Sequence, residues 1–386
     1  MALAVLAETR RGAHASDLLR ERTIDLDSRD AALATELALG CLRRQSQLDF
    51  LIQAASRQPL SKLDPPVLLV LRLGTYQLRF LSRIPAHAAV SESVELARQS
   101  GLASAAGFVN AVLRKVPGAP VEWPDEATEH CLPAWLWEKW RRDYGRETAS
   151  QMARAAMEPP AAYIRVPPGQ EAELEPGFAE ATAVAGCYRL TGPDSRGFRR
   201  QDISSQCVVP LLDLRPGMSL LDVCAAPGNK TAQAMEWNPA LAVAVDLSLH
   251  RLRSMGGVRV VADARRALPF RGQFDRILVD APCSGTGTLG RNPEIRWRVK
   301  PEDLAGHAAR QVAILRHALE CLKPGGKLVY STCSLEREEN EEVVSRIVEG
   351  SAGTLRWEGG FKRIPGQDPG DGFFAAVLTS NEIVSH

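Results

Sequence analysis

Two thiols in this sequence follow runs that read as buried strands. Arg276-Ile277-Leu278-Val279 ends on Asp280 and leads into Ala281-Pro282-Cys283-Ser284-Gly285, while Lys327-Leu328-Val329-Tyr330 leads into Ser331-Thr332-Cys333-Ser334. Short apolar runs bounded by polar residues, Pro and Gly are the pattern of strands buried in a parallel sheet. Ligands of open α/β sheets bind beyond the carboxyl ends of the strands, so Asp280, Cys283 and Cys333 stand where such a fold places working groups. A single free cysteine is more often a packed small hydrophobe. These two fall past the apolar runs, in turns bearing Pro or Ser/Thr, where reactive rather than structural thiols belong.

A third strand-like run, Ser219-Leu220-Leu221-Asp222-Val223, opens into Cys224-Ala225-Ala226-Pro227-Gly228-Asn229-Lys230-Thr231. A turn of small residues lets a ligand approach the backbone and lie over the next helix N-terminus. The turn is not a phosphate-binding P-loop, because Asn229 and Cys224 occupy the two positions that need Gly. The dinucleotide pattern occurs at Gly285-Thr286-Gly287-Thr288-Leu289-Gly290, but Asn292-Pro293 follows where a helix should open, so that match is accidental. Asp246 ends the strand after the turn and is placed to accept from ribose hydroxyls. Asp263 ends the next strand and is placed to accept from an adenine amino group. Each acid alone suits a strand-end turn. Together with Asp280 they mark one crevice.

The elements that must position these groups occupy a chain of 386 residues, enough for two or three domains. A net charge of +1 gives no global signature of nucleic-acid binding, so any such surface must be a local patch. The eight cysteines form no Cys-x-x-Cys pair and no Cys/His ligand spacing. No metal site and no disulfide framework are expected, and a reducing compartment fits. The apolar opening Met1 to Ala7 lacks a basic segment and is interrupted by Glu8, Arg10 and Arg11, and no run is long enough to span a membrane. A soluble cytoplasmic monomer is expected.

Residues 1 to about 116 read as an all-α bundle, with Leu33, Leu37, Cys41 and Leu48 at helical spacing and a cap signal at Ser28 and Asp30. His87, beside a Pro and several alanines, reads as a capping or packing residue. Arg72, Arg79, Arg83, Arg98, Arg114 and Lys115 read as a solvated face, with an RNA-facing patch as the sharper alternative. Pro117 to Pro124 is a composition break. A helix from Pro133 toward Met157 carries Trp135, Trp137, Trp140, Arg141 and Arg142, a mixture that suits either base stacking or a core. Arg196, Arg199 and Arg200 form a small basic cluster. From there strands and helices alternate, which implies a mostly parallel sheet with helices on both faces. The expected divisions are 1–122, 123–200 and 201–386.

Taken together, Cys224 to Thr231, Asp280 to Gly285 and Ser331 to Ser334 resemble the motifs of the S-adenosylmethionine-dependent RNA cytosine-C5 methyltransferases. The helical front half, with Ile84-Pro85-Ala86-His87-Ala88-Ala89-Val90 and Gly107 to Arg114, resembles the NusB-like RNA-binding domain attached to the RsmB (Sun/Fmu) branch, which acts on 16S ribosomal RNA. The sequence departs from that pattern at Asn229, where a second Gly is usual, and around Met157-Glu158, where an Asn usually precedes the double proline.

The resemblance implies a Rossmann-like α/β catalytic domain behind an all-α domain, S-adenosyl-L-methionine as cofactor and 16S rRNA as partner. It implies Cys333 as nucleophile at cytosine C6, Cys283 as the group that assists breakdown of the adduct, and Asp280 at the base edge near N3. Cofactor contacts then fall on Cys224, Ala225, Ala226, Pro227, Gly228, Asn229, Lys230, Asp246, Asp263 and Asp280. Arg291, Arg296, Trp297, Arg298 and Lys300 are the residues expected to hold RNA near the site. Alternatives are the same chemistry on tRNA or another rRNA site, and a non-catalytic RNA-binding assembly factor.

Overall fold

The computed structural model describes residues 1–118, 121–192 and 197–381. Two units emerge from its internal contacts, Met1–Pro159 with Leu289–Arg298, and Pro160–Thr288 with Val299–His386. Ala119 and Pro120 of the expected break, and Arg196 of the expected basic cluster, lie outside the described residues.

The first unit is helical: α1 (Ala2–Thr9), α2 (Ala15–Arg22), α3 (Ser28–Arg43), α4 (Gln45–Ser56), α5 (Pro65–Phe80), α6 (Ala86–Gln99), α7 (Ala106–Leu113), α8 (Glu126–Glu129), α9 (Ala134–Tyr144) and α10 (Arg146–Met157). Asp27, not Ser28, caps α3, accepting from the amides of Arg29 and Asp30. α5 is the central helix, buried at every position from Val67 to Tyr76. It closes against α3 because Gly40 carries no side chain: a Cβ there would lie 2.1 Å from the Tyr76 ring.

Several residues with an RNA reading serve the interior instead. Trp137 and Trp140 are 2% and 1% exposed, and the Trp137 indole donates to Glu126. The helix expected from Pro133 to Met157 breaks at Gly145, whose φ of 80° lies in the left-handed region. Of the basic residues on the bundle, Arg72 makes a bidentate pair with Asp49 at 2.7 Å, and Arg79 donates to the Pro117 carbonyl. The units do not part at Pro117–Pro124, since α8 to α10 fold with the bundle. The Gln47 side chain donates to the Glu129 carbonyl, and Arg44 pairs with Glu158.

The second unit begins with a small antiparallel sheet of β1 (Tyr163–Arg165), β2 (Ala179–Ala181), β3 (Cys187–Leu190) and β4 (Arg199–Arg200), ordered β2-β3-β1-β4. After α11 (Ile203–Gln206) come β5 (Ser219–Val223), α12 (Asn229–Met235), β6 (Leu241–Asp246), α13 (Leu249–Leu252), β7 (Val258–Val261) and β8 (Phe274–Asp280).

The chain then leaves this unit for residues Leu289–Arg298, which include α14 (Ile295–Arg298) and fold within the helical unit. Arg296 is fully buried there and donates to the carbonyls of Cys131, Ala156 and Leu289 at 3.0, 2.7 and 3.0 Å. Trp297 donates to the Leu42 carbonyl, and Arg298 to the carbonyls of Thr9, Gly12 and Ala13. These three side chains tie the helices of the bundle to one another, and Arg296, fully buried, cannot reach RNA as the sequence suggested. The local charge run gives no hint of this, because the acceptors come from distant helices.

The second unit resumes with α15 (Pro301–Leu319), β9 (Leu322–Thr332), α16 (Glu341–Glu349), β10 (Leu355–Arg363) and β11 (Phe373–Ser380). The large sheet has seven strands ordered β10-β11-β9-β8-β5-β6-β7. β7, β6, β5, β8 and β9 run parallel, while β11 pairs antiparallel with both β9 and β10. The alternation in the sequence implies the parallel strands but not the antiparallel pair. Helices cover both faces: Leu221, Ile277 and Leu328 pack with Ile314, Leu315 and Val344 of α15 and α16, and Leu220, Leu278 and Val329 pack with Leu212 and Ala234 on the other side. From β5 the chain steps outward through β6 and β7, then returns to β8 on the other flank of β5. That reversal opens a crevice at the carboxyl ends of β5 and β8.

The buried role of Arg296 predicts that Arg296→Ala lowers stability by about 3 kcal/mol, because carbonyls are left without donors. Thermal denaturation measures it. A phosphate contact would instead weaken RNA binding and leave the melting temperature unchanged.

Candidate active site

The register of β8 with β9 pairs Asp280 with Ser331, so both strands end side by side. The amide of Ala281 donates to the Ser331 carbonyl at 2.9 Å, and the Ser331 hydroxyl donates to Asp280 Oδ1 at 2.7 Å. Three residues beyond Asp280, and two beyond Ser331, the thiols meet: Cys283 Sγ and Cys333 Sγ are 3.4 Å apart. The loop carrying Cys283 continues against the other, with the Gly287 amide donating to the Cys333 carbonyl and the Gly372 amide to Gly287. A Cβ on Gly287 would fall 2.2 Å from the Gly372 carbonyl oxygen, so the close approach requires glycine there.

Asp280 joins the ends of β8 and β9 to the first turn of α12. Its Oδ2 accepts from Lys230 Nζ at 2.7 Å, and Lys230 also lies 4.9 Å from the centre of the Phe373 ring. Lys230 therefore reaches the acid beside the thiols. Behind it, Asp222 of β5 is 1% exposed and accepts from Thr231 Oγ1 at 2.5 Å, and among the described residues its Oδ1 has no partner. Burial pushes its carboxyl up to about 7. Cys224, in the left-handed region at φ 62°, is held far above its ordinary value by burial, so it is a neutral thiol. Burial likewise raises Tyr330.

One cavity of about 490 Å³ gathers Cys224, Ala226, Asp246, Asp263, Asp280, Cys283 and Cys333 on its walls. Its size is that of a small-molecule or cofactor site. Ala225, Pro227, Gly228, Asn229 and Lys230 do not line it. Asn229 turns toward the small sheet, where it donates to the Arg200 carbonyl and accepts from Arg199. Gly228, at φ 99°, lets the turn pass Met255, whose Cγ would lie 2.7 Å from a Cβ there. Asp246 Oδ2 accepts from the Ala226 amide at 3.2 Å and Oδ1 from the Ser248 amide at 3.0 Å. The acid thus fixes the turn that it faces, and Arg251 braces the same turn through the Ala226 carbonyl. Asp263 is engaged by Arg265, which holds its carboxyl down to about 2. To accept from an adenine amino group it must share that carboxylate with Arg265.

Sequence reasoning missed the residues beneath the thiols. Glu339, Gln311, Ser284 and Ser334 form a buried polar layer there, and the Glu336-to-Glu341 run that supplies Glu339 looks like a solvated charged face.

Comparison with known proteins bears on what this geometry belongs to. A family model described as 16S rRNA methyltransferase RsmB/F matches residues 209–379, and a NusB family model matches residues 1–117. The ribosomal RNA small subunit methyltransferase B of Thermus thermophilus is 38% identical over 367 residues, covering 89% of this chain and 85% of that protein. The probable ribosomal RNA small subunit methyltransferase B of Bacillus subtilis is 34% identical over 392 residues, with 90% and 87% covered. The chain belongs to the ribosomal RNA small subunit methyltransferase B family.

Among solved structures, PH0851 superposes with a TM-score of 0.82 at 22% identity over 97% of each chain, which shows the shared fold. A methyltransferase homologue from Pyrococcus horikoshii covers 67% of this chain and all of its own, with a TM-score of 0.57 and 24% identity. The front domain is NusB-like and the α/β domain is of the S-adenosylmethionine-dependent methyltransferase type. The cavity fits S-adenosylmethionine as the methyl donor, because the strand-end acids Asp246 and Asp280 suit ribose hydroxyls and a cationic sulfonium centre. Among the described residues no cluster of His, Cys, Asp or Glu could hold a metal ion, and no helix is long and apolar enough to cross a membrane.

Asp222 makes stability pH-dependent. Its folded value lies above the unfolded one of 3.8, so the folded state binds the extra proton between about pH 4 and 7 and stability is lost as pH rises through that window. Asp222→Asn removes the penalty, on the order of 4 kcal/mol when fully developed. Melting temperatures of variant and parent should match at pH 4 and diverge in the variant's favour by pH 8.

Proposed function

We propose that this protein methylates C5 of a cytosine in 16S ribosomal RNA through a transient bond between Cys333 and C6 of the ring. The observation that carries the proposal is the 3.4 Å approach of two thiols on the wall of a cavity that also presents Asp246 and Asp280. Two sulfurs converging from separate strand ends are not needed to bind a cofactor. A thiolate is what a pyrimidine demands, since C5 of cytosine is a poor nucleophile until one adds at C6 and gives the ring enamine character, and a second sulfur within reach can serve the breakdown of that adduct.

The target base leaves its stack and enters with its C6 edge toward Cys333. The Cys333 sulfur bonds to C6 as its own proton passes to N3 by way of the Asp280 carboxylate, which Ser331 and Lys230 orient. Protonation at N3 offsets the charge that addition creates. S-adenosylmethionine, when bound, supplies an electrophilic methyl group on a sulfonium sulfur. With C5 methylated, the Cys283 sulfur takes up the C5 proton as its own proton passes to the departing Cys333 sulfur, N3 returns its proton by way of Asp280, and the aromatic ring and both thiols are restored. The NusB-like domain supports ribosomal RNA as the substrate, in keeping with the names of the relatives.

Cys333→Ala should abolish methyl transfer, a loss of at least about a thousandfold expected when a covalent route is removed, while cofactor binding measured by calorimetry persists. Retained turnover would exclude the covalent role. Cys283→Ala should accumulate a protein–RNA adduct that survives denaturing electrophoresis, and a clean gel would remove Cys283 from adduct breakdown. Bisulfite sequencing of ribosomal RNA from cells lacking the protein should show one cytosine that becomes fully convertible. Unchanged small-subunit RNA with an altered tRNA would redirect the substrate assignment.

A further inference from the structure

Beneath the two thiols lies a carboxylate that none of the steps above uses. Glu339 sits in the short 3₁₀ turn Arg337–Glu339 after β9 and is fully buried. Its Oε1 accepts from the Ser284 amide at 2.9 Å and from Gln311 Nε2 at 3.0 Å, and its Oε2 accepts from the hydroxyls of Ser284 and Ser334, the latter at 2.6 Å. Ser284 directly follows Cys283, and Ser334 directly follows Cys333. The same Gln311 amide donates to the Pro282 carbonyl at 3.1 Å. One side chain thus holds the residues next to both thiols, and through Gln311 the residue before one of them.

The choice of a carboxylate calls for a reason. A buried charge is costly unless it is compensated, and among the described residues no Lys or Arg pairs with Glu339. The imidazole of His307 lies beside it, with Nδ1 4.0 Å from Oε1. Hydrogen bonds from four donors keep the anion in place, and its charge acts on what lies above it. The Cys283 thiol is pushed well above its ordinary value by its contact with Cys333, by burial, by the charge a Cys333 thiolate would carry and then by Glu339. The other groups around the thiols are Asp280 at the end of β8, Tyr330 in β9, and His307 and Arg310 on α15.

We infer that Glu339 is a positioning residue for both thiols: it sets their separation and keeps the proton on Cys283, so that Cys333 is the sulfur left to bond carbon. The Cys283 S–H then donates to the Cys333 sulfur across 3.4 Å. The inference rests on the two-thiol reading of the site, but its first test does not use methyl transfer.

Full-length protein and its Glu339→Gln variant are treated with limiting iodoacetamide, and the labelled cysteine is identified by mass spectrometry. The parent should label at Cys333 in preference to Cys283, and the variant should lose about tenfold of that preference, the effect of one pKa unit between the thiols. The rate of Cys283–Cys333 disulfide formation with diamide, which reads the sulfur separation, should fall in parallel. An unchanged labelling ratio together with an unchanged diamide rate would overturn the assignment. Methylation should show a lower kcat with KM unaltered for cofactor and RNA. A shifted labelling ratio with normal methylation would uphold the role of Glu339 and instead sink the two-thiol mechanism. Should Glu339→Gln fail to fold, Ser284→Ala combined with Ser334→Ala removes the two hydroxyl donors alone. The same labelling ratio then decides, and Glu339→Asp should restore part of the preference.

Discussion

The pairing of two parallel strands, β8 with β9, is the constraint from which the site follows. Their register sets Asp280 opposite Ser331, and the Ala281 amide extends the ladder by one bond past the acid. With both chains tied at that point, a turn of three residues on one side and two on the other brings separate loops to the same place. A slip of one residue would turn Ser331 away from Asp280 and carry Cys333 to the opposite face of the sheet. The apolar faces of both strands oppose such a slip, because Leu278 and Val329 pack on one side of the sheet and Ile277 and Leu328 on the other.

Around this pairing the α/β unit concentrates its buried polar groups. Asp222, Thr231, Ser284, Thr286, Ser331, Thr332, Ser334, Glu339 and Asn340 are all buried, and hydrogen bonds link them to the strand ends. Such layers are costly when incomplete, so they fix loop conformation more sharply than apolar packing does. The helical unit uses buried polarity differently. Arg296 joins carbonyls from α10, the loop after α8 and its own segment, and among the described residues no carboxylate pairs with it. One network surrounds the strand-end thiols, and the other closes gaps between helix ends.

The turn after β5 illustrates how far local reasoning reaches. Excluding a P-loop needed only the residues at two positions, and the strand-end acids indicated the crevice. Their actual partners needed the fold. Asp246 braces the Ala226 amide, Asp263 is taken by Arg265, and Lys230 reaches Asp280 at the end of the neighbouring strand instead of staying with its own turn. The tryptophans of α9 show the opposite failure. Aromatic and basic residues in one helix fit both a stacking platform and a core, and periodicity cannot separate the two.

What the sequence by itself determined was the part governed by short-range rules. Alternating apolar runs set the parallel strands, helical spacing set the bundle, and a Cys in a polar turn after a strand placed each thiol at a strand end. The tertiary structure decided everything that depends on chain segments far apart: the 3.4 Å between Cys283 and Cys333, the antiparallel insertion of β11 between β9 and β10, and the burial of Arg296 and Glu339. The physical reason is that a charged side chain carries the same local signal whether water or distant carbonyl and hydroxyl groups satisfy it. Only the folded chain specifies which of these surrounds it.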